Sequence, residues 1–231
     1  MKKILLSAAL VLGSVAAANA QIGFKADANL GFSNIDINVS QISPKMIPGY
    51  RVSGAVEIPF AGDVSTGLFY FSPGLTVLSK GAKAEAKSLA PGTKIEATAR
   101  PHYLQVPLQL GARFRFAENM GVSLQFGPYL SYGFAGKAKA ELTNSRGKIE
   151  EDINLFEDSF ILDGSFKVKA PLERFDYGAT IQAALEFSRF YAQVGTDIGF
   201  ANVASDTNKE TLGKENKIKN YDFFVGVGIR F

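Results

Sequence analysis

Read two residues at a time, the chain from about residue 22 onward divides into an apolar face and a polar one. Near 22–33, Ile22, Phe24, Ala26, Ala28, Leu30 and Phe32 share one side, while Lys25, Asp27, Asn29 and Ser33 share the other. A two-residue period marks a strand, because successive side chains leave the backbone on opposite sides. The period returns near 50–60, with Val52, Val56, Ile58 and Phe60 against Arg51, Ser53 and Glu57. It is clearest over 104–116, where Leu104, Val106, Leu108, Leu110, Ala112, Phe114 and Phe116 oppose Gln105, Gln109, Arg113 and Arg115. Near 122–135 it sets Val122, Leu124, Phe126, Leu130, Tyr132 and Phe134 on the apolar side. Near 175–187 it sets Phe175, Tyr177, Ala179, Ile181, Ala183, Leu185 and Phe187 over Asp176, Thr180, Gln182 and Glu186. A strand near 190–200 keeps Gln193 and Asp197 on its polar face. The last, 221–231, opposes Tyr221, Phe223, Val225, Val227, Ile229 and Phe231 to Asp222, Phe224, Gly226, Gly228 and Arg230. An eighth segment, near 66–77, is ambiguous in its facing and carries Pro73. Pro107 predicts an irregularity or bulge within 104–116.

The connections between these eight strands alternate in length. Those near 61–65, 117–121 and 188–189 are short, and those near 34–49, 78–101, 136–174 and 201–219 are long and polar. Short turns at one end and long loops at the other are the layout of a closed antiparallel transmembrane β-barrel, with periplasmic turns and extracellular loops. A lipocalin-like soluble barrel alternates too, but lacks that asymmetry. In this topology Tyr50, Tyr132, Phe175, Tyr177 and Tyr221 fall near the outer rim, and Phe60, Phe116, Phe187 and Phe231 near the inner one. Two aromatic girdles around an apolar band are what a bilayer selects. Within 136–174, Phe160-Ile161-Leu162 and Phe166-Lys167-Val168-Lys169 also read as strand. The strands are therefore expected either to run past the membrane or to include an extra hairpin, making ten.

The ends carry addressing signals. Lys2 and Lys3 precede an apolar stretch from Ile4 to Ala18, and Ala18-Asn19-Ala20 supplies small residues for a signal peptidase. Residues 1–20 read as a signal peptide and 21–231 as the exported barrel domain. The terminal Phe231 resembles the signal by which outer-membrane proteins are recognised for barrel insertion.

Composition narrows the remaining possibilities. No stretch of about eighteen apolar residues follows the leader, so helical spans are excluded. The absence of cysteine excludes disulfides and thiol chemistry. A net charge of +3, of which Lys2 and Lys3 contribute two, gives no case for nucleic acid. Nineteen Phe, eight Tyr, no Trp and 23 Gly favour strands and a crowded interior over helices.

The inward face mixes signs: Lys25, Asp27, Arg51, Glu57, Arg113, Arg115, Asp176, Glu186, Asp197 and Arg230. Buried charges must be paired or hydrated, because an unpaired one costs several kcal/mol. Eight strands leave an interior just wide enough for side chains to fill, so these residues are expected to form a salt-bridged network. A narrow hydrated path is the alternative. In the loops, Lys80, Lys83, Lys87, Lys94 and Arg100 are offset by Glu85 and Glu96. Lys137, Lys139, Lys167 and Lys169 flank an acidic patch of Glu150, Glu151, Asp152, Glu157 and Asp158. The basic groups could bridge glycolipid phosphates. The acidic patch lacks the alternating spacing of a calcium loop.

Catalysis has little to work with. His102 is the only histidine, on the outward face near the outer rim, and no spacing selects Ser131 or Ser159 as its nucleophile. No metal-ligand cluster or phosphate-cradling glycine loop is evident, and no cofactor is expected.

Several segments carry a family resemblance: Tyr70-Phe71-Ser72-Pro73-Gly74-Leu75, Ser79-Lys80-Gly81, Tyr103-Leu104-Gln105-Val106-Pro107-Leu108, Arg174-Phe175-Asp176-Tyr177-Gly178 and Lys219-Asn220-Tyr221. Together they resemble the PorT-like small outer-membrane barrel domains common in Bacteroidetes, across nearly the whole mature chain. That resemblance implies an outer-membrane barrel in a Gram-negative envelope and supplies no catalytic residues. One member class of the family assists protein secretion. The expected partners are outer-membrane lipid and lipopolysaccharide, the barrel-assembly machinery during insertion, and an envelope or surface protein or glycan. The expected function is a structural or interaction module acting through its extracellular loops. A small ion or solute channel and a lipid-acting enzyme are the alternatives.

Overall fold

The computed structural model describes residues 22–37, 43–63, 67–87, 94–144, 147–161, 166–168, 170, 172–203 and 218–231. The signal-peptide expectation for residues 1–20 lies outside them. Among the described residues twelve strands run in chain order: β1 Gly23–Ile37, β2 Ser43–Asp63, β3 Gly67–Ser79, β4 Ala82–Lys87, β5 Lys94–Ala117, β6 Met120–Asn144, β7 Gly147–Asn154, β8 Ser159–Ile161, β9 Phe166–Val168, β10 Phe175–Phe187, β11 Phe190–Gly199 and β12 Ile218–Arg230.

Eight of them form a hydrogen-bonded antiparallel ring in the order β1–β2–β3–β5–β6–β10–β11–β12. The last strand returns to the first, from Lys25 opposite Arg230 to Ile37 opposite Ile218. Two further strands bring this sheet to ten. β4 follows β3 after Lys80-Gly81 and lies between β2 and β5, while β7 folds back along β6. β8 and β9 make a separate two-stranded sheet.

Much of 78–101 and 136–154 is therefore strand, and β5 and β6 reach 24 and 25 residues. The alternation there has low amplitude. Its apolar positions are alanines, Ala97 and Ala99 on β5 and Ala138 on β6, and they fall on the inward side, where Ala99 and Ala138 pack beneath the apolar layer at the mouth. A small apolar residue holds a position in the pattern without announcing it.

The ring is inverted relative to a soluble protein. Leu30, Val52, Leu110, Leu124, Leu130, Ile181 and Val227 are exposed, whereas the polar side chains opposite them are buried. β3 resolves its ambiguity in the same sense, with Tyr70, Ser72, Thr76 and Leu78 buried and Phe69 and Leu75 exposed. Glycines make room for the inward aromatics. Tyr70 faces Gly111, Tyr129 faces Gly178, Tyr191 faces Gly228 and Phe224 faces Gly195 across adjacent strands. A Cβ on any of these glycines would run into the ring opposite.

Pro107 brings the expected ladder irregularity, without a bulge. Pairing with β6 keeps one register from Val106–Leu130 to Leu110–Phe126, and pairing with β3 keeps one from Thr76–Gln105 to Pro73–Leu108. The ladder to β3 opens opposite Gly74 and Leu75, which accommodates the missing N–H without an extra residue. The register shifts of β5 fall elsewhere, at His102/Tyr103 and Arg115/Ala117.

Candidate functional site

The inward charges assemble in tiers. Nearest the short turns, Arg113 donates through Nε to Glu186 at 3.0 Å and through Nη2 to Glu57 at 2.5 Å. Arg230 donates to the same two carboxylates, at 2.9 Å to Glu57 and 3.0 Å to Glu186. Two guanidiniums and two carboxylates from β2, β5, β10 and β12 thus close a square across the ring. The Arg113 and Arg230 guanidiniums also lie over Tyr70 and Tyr191, at 4.9 and 5.5 Å from the ring centres.

Above the square, Lys25 and Asp27 bond to neutral partners. Lys25 donates to Gln125, which donates to the Tyr70 hydroxyl and accepts from Gln182. Asp27 accepts from Asn29 and Tyr191.

The third tier is acidic and basic again. Arg51 donates to Asp197 at 2.6 Å, lies 3.9 Å from Asp222 and covers the Phe224 ring at 4.2 Å. Asp197 also accepts from Gln105 and Thr180. Lys80 donates to Asp176 at 3.1 Å, and Asn220 donates to the same oxygen.

A cavity lined by Lys25, Asp27, Arg51, Thr76, Gln109 and Gln182 has room for roughly 10 Å³, about one water molecule. At the long-loop end, Leu155, Phe156, Leu172, Ala201 and Val203 come together with Leu78, Ala82 and Tyr103 as an apolar layer over the mouth. Backbone bonds hold it, with Leu155 donating to Gly136, Leu172 to Leu155 and Glu173 to Val203. Arg174 fastens its edge, donating to the carbonyls of Gly133 and Phe156 and lying over the Phe156 ring.

Of the ten inward candidates, Lys25, Asp27, Arg51, Glu57, Arg113, Asp176, Glu186 and Asp197 are buried and Arg230 is half-buried. Arg115 stands apart, exposed beside the register shift that ends β5. Sequence reasoning grouped Lys80 with the loop cations, yet it is buried. The signal was present, since Thr76, Leu78 and Lys80 continue one inward alternation. Tyr103 and Tyr129 were missed for the opposite reason: tyrosine also suits a lipid-facing rim.

His102 Nδ1 lies 3.2 Å from the Tyr50 hydroxyl, with the two rings stacked. Ser131 instead is buried inside and donates to Gln105, so the strand wall separates it from His102. The Ser159 side chain is outside the described residues. Among the described residues no group of three or more His, Cys, Asp or Glu is placed to hold a metal ion.

Residues 16–205 match the outer membrane protein beta-barrel domain family. The chain belongs to that family. It is an outer-membrane protein that crosses the bilayer with its strands, which accounts for the polar interior and the apolar exterior. No curated protein matches its sequence. Among solved structures it is similar to Ail, the attachment invasion locus protein of Yersinia pestis, in complex with the heparin analogue sucrose octasulfate. That likeness has 14% identity and a TM-score of 0.37 over 91% of this chain and 99% of Ail. It is also similar to Neisserial surface protein A, at 9% identity and a TM-score of 0.35 over 90% and 97% of the two chains. The N-terminal β-barrel domain of Pseudomonas aeruginosa OprF gives 10% and 0.28 over 89% and 97%.

Proposed function

We propose that this family member is a closed eight-stranded barrel whose long-loop end faces outside the cell, and that it acts there as a non-catalytic interaction module. One observation carries the reading: the interior is filled and capped, while the strands continue well beyond the length a bilayer needs. A transmembrane β-strand takes about 9–11 residues. β5 and β6 have more than twice that number, and β4 and β7 widen the part that emerges. The buried ion pairs then serve as a fixed seal, and the emergent sheet offers the surface. Three short turns at one end, which fit the periplasm, support the same orientation.

Export by a leader over residues 1–20 belongs to this reading. So does insertion signalled by Phe231, which is exposed and pairs through its backbone with Phe24 at the short-turn end. The narrower PorT-like membership rests on the motifs quoted above. The partners that fit are outer-membrane lipid and lipopolysaccharide, the assembly machinery, and one envelope protein or surface glycan.

The test is cross-linking in intact cells from an epitope inserted between Ala90 and Pro91, with the folded protein then extracted in detergent. A stoichiometric neighbour whose capture is lost when residues 147–154 are replaced by a short glycine-serine turn is the expected result. Capture of abundant bystanders alone, together with steady single-channel conductance in planar bilayers, would replace this reading with the channel one.

A further inference from the structure

We infer that the outward face of the β2–β4–β5–β6 wall, just above the aromatic rim, is a binding site for the phosphorylated headgroup of an outer-leaflet glycolipid. The inference rests on the proposed orientation and deepens it by naming a ligand and its residues.

The rim itself is well marked on this wall. Tyr50, His102 and Phe134 form a continuous row, with ring centres 5.9 Å and 6.3 Å apart. Such a row marks the boundary of the apolar band. Two residues further up the outward positions become basic. Arg100 on β5 stands directly opposite Lys137 on β6, and both are exposed. In the next row Lys45 stands opposite Lys83, and Lys139 opposite Thr98.

Like charges placed directly opposite each other on a sheet are destabilising. The Arg100–Lys137 pair therefore points to an anion that offsets it. Carboxylates account for part of the charge, since Lys83 lies 2.8 Å from Glu96 and Lys137 lies 3.9 Å from Asp152. They do not separate Arg100 from Lys137.

Height identifies the anion. Two residues along a strand are about 7 Å, or about 5 Å along the membrane normal at a barrel tilt near 40°. The headgroup layer is about 5–7 Å thick on each side of the hydrocarbon core. The first basic row thus meets the level of lipid phosphates, not open solvent. The row above, with Glu96 opposite Glu141, is acidic and limits how far an anionic group can climb. Among the described residues the far side of the ring has no such cluster. Past Phe175, Phe200 and Tyr221 its outward positions are Glu173, Asn202 and Lys219.

The test uses the full folded chain in detergent, titrated with bis-phosphorylated lipid A, with bound copies counted by native mass spectrometry. Wild type is expected to retain the bis-phosphorylated lipid and to bind its dephosphorylated counterpart at least about tenfold more weakly. The R100Q/K137Q double variant is expected to lose about tenfold in affinity, while K219Q changes nothing. K139Q gives an intermediate loss and is a second handle if the double variant misfolds, which heat-dependent gel mobility reports. Equal binding of the dephosphorylated lipid, or an unaltered double variant, would overturn the site. Full displacement by millimolar inorganic phosphate would also overturn it, as a site for free anions and not for a lipid. Failure of the orientation shows separately, as an Ala90–Pro91 epitope that antibody cannot reach on intact cells.

Discussion

Arg113, like Arg230, touches two carboxylates at once, and it is the more deeply buried of the two guanidiniums. Removing one partner of a buried pair leaves the other charge stranded, at a cost of about 3–5 kcal/mol. Arg113→Met is therefore expected to lower stability by that amount in urea unfolding from detergent or lipid. Arg115→Met, two residues away at the exposed end of the strand, should change it by less than about 0.5 kcal/mol. A measured equality of the two would mean that the square formed by Arg113, Arg230, Glu57 and Glu186 contributes nothing. Gly111 offers the complementary test. Gly111→Val would drive a side chain into the Tyr70 ring, and overpacking of this kind costs about 1–3 kcal/mol. The loss should shrink when Tyr70→Leu is added, a rescue that unfolding midpoints can read.

At the scale of elements, β5 and β6 each do two jobs. Their lower halves, where Leu104–Leu110 faces Leu124–Leu130, are lipid-facing wall, and their upper halves form an emergent sheet with β4 and β7. Hydrogen exchange in lipid is expected to divide them: backbone amides of 104–112 and 122–130 stay protected for long times, while those of 94–99 exchange sooner. Uniform protection along both strands would mean that the upper sheet is as tightly held as the wall. The layer of Leu155, Phe156 and Leu172 is a separate element held by backbone bonds and packing against Tyr103 and Gly133. Phe156→Ala should raise proteolytic nicking between 155 and 174 severalfold while leaving the heat-dependent gel shift of the ring unchanged. A parallel loss of both would show that the cap and the ring unfold together.

For the whole molecule, a ring with polar contents and apolar walls makes sense only in a bilayer. The ion pairs across β2, β5, β10 and β12 tie strands that are distant in sequence, Glu57 to Arg230 among them, so the last strand must dock before the interior is neutral. With the interior filled and the mouth capped, planar bilayers carrying the folded protein are expected to show no steady conductance. Defined single-channel steps would contradict the filled interior.

The two-residue period was enough to locate all eight ring strands, because a lipid-facing wall demands large apolar residues at every second position and a filled interior demands polar ones between them. The inward set from Lys25 to Arg230 could be read from that same alternation. Tertiary structure decided what the alternation does not encode. It set which strands neighbour one another, and so which charges meet. It also left Arg115 exposed at the end of β5, brought Lys80 inside past the end of β3, and folded Leu155 and Phe156 over the mouth. The upper sheet escaped sequence reading because alanine carries its apolar positions. The basic rows above the rim became visible only when register set Arg100 against Lys137 and Lys45 against Lys83. Period is a local property of the chain, whereas adjacency across strands depends on how the whole sheet closes.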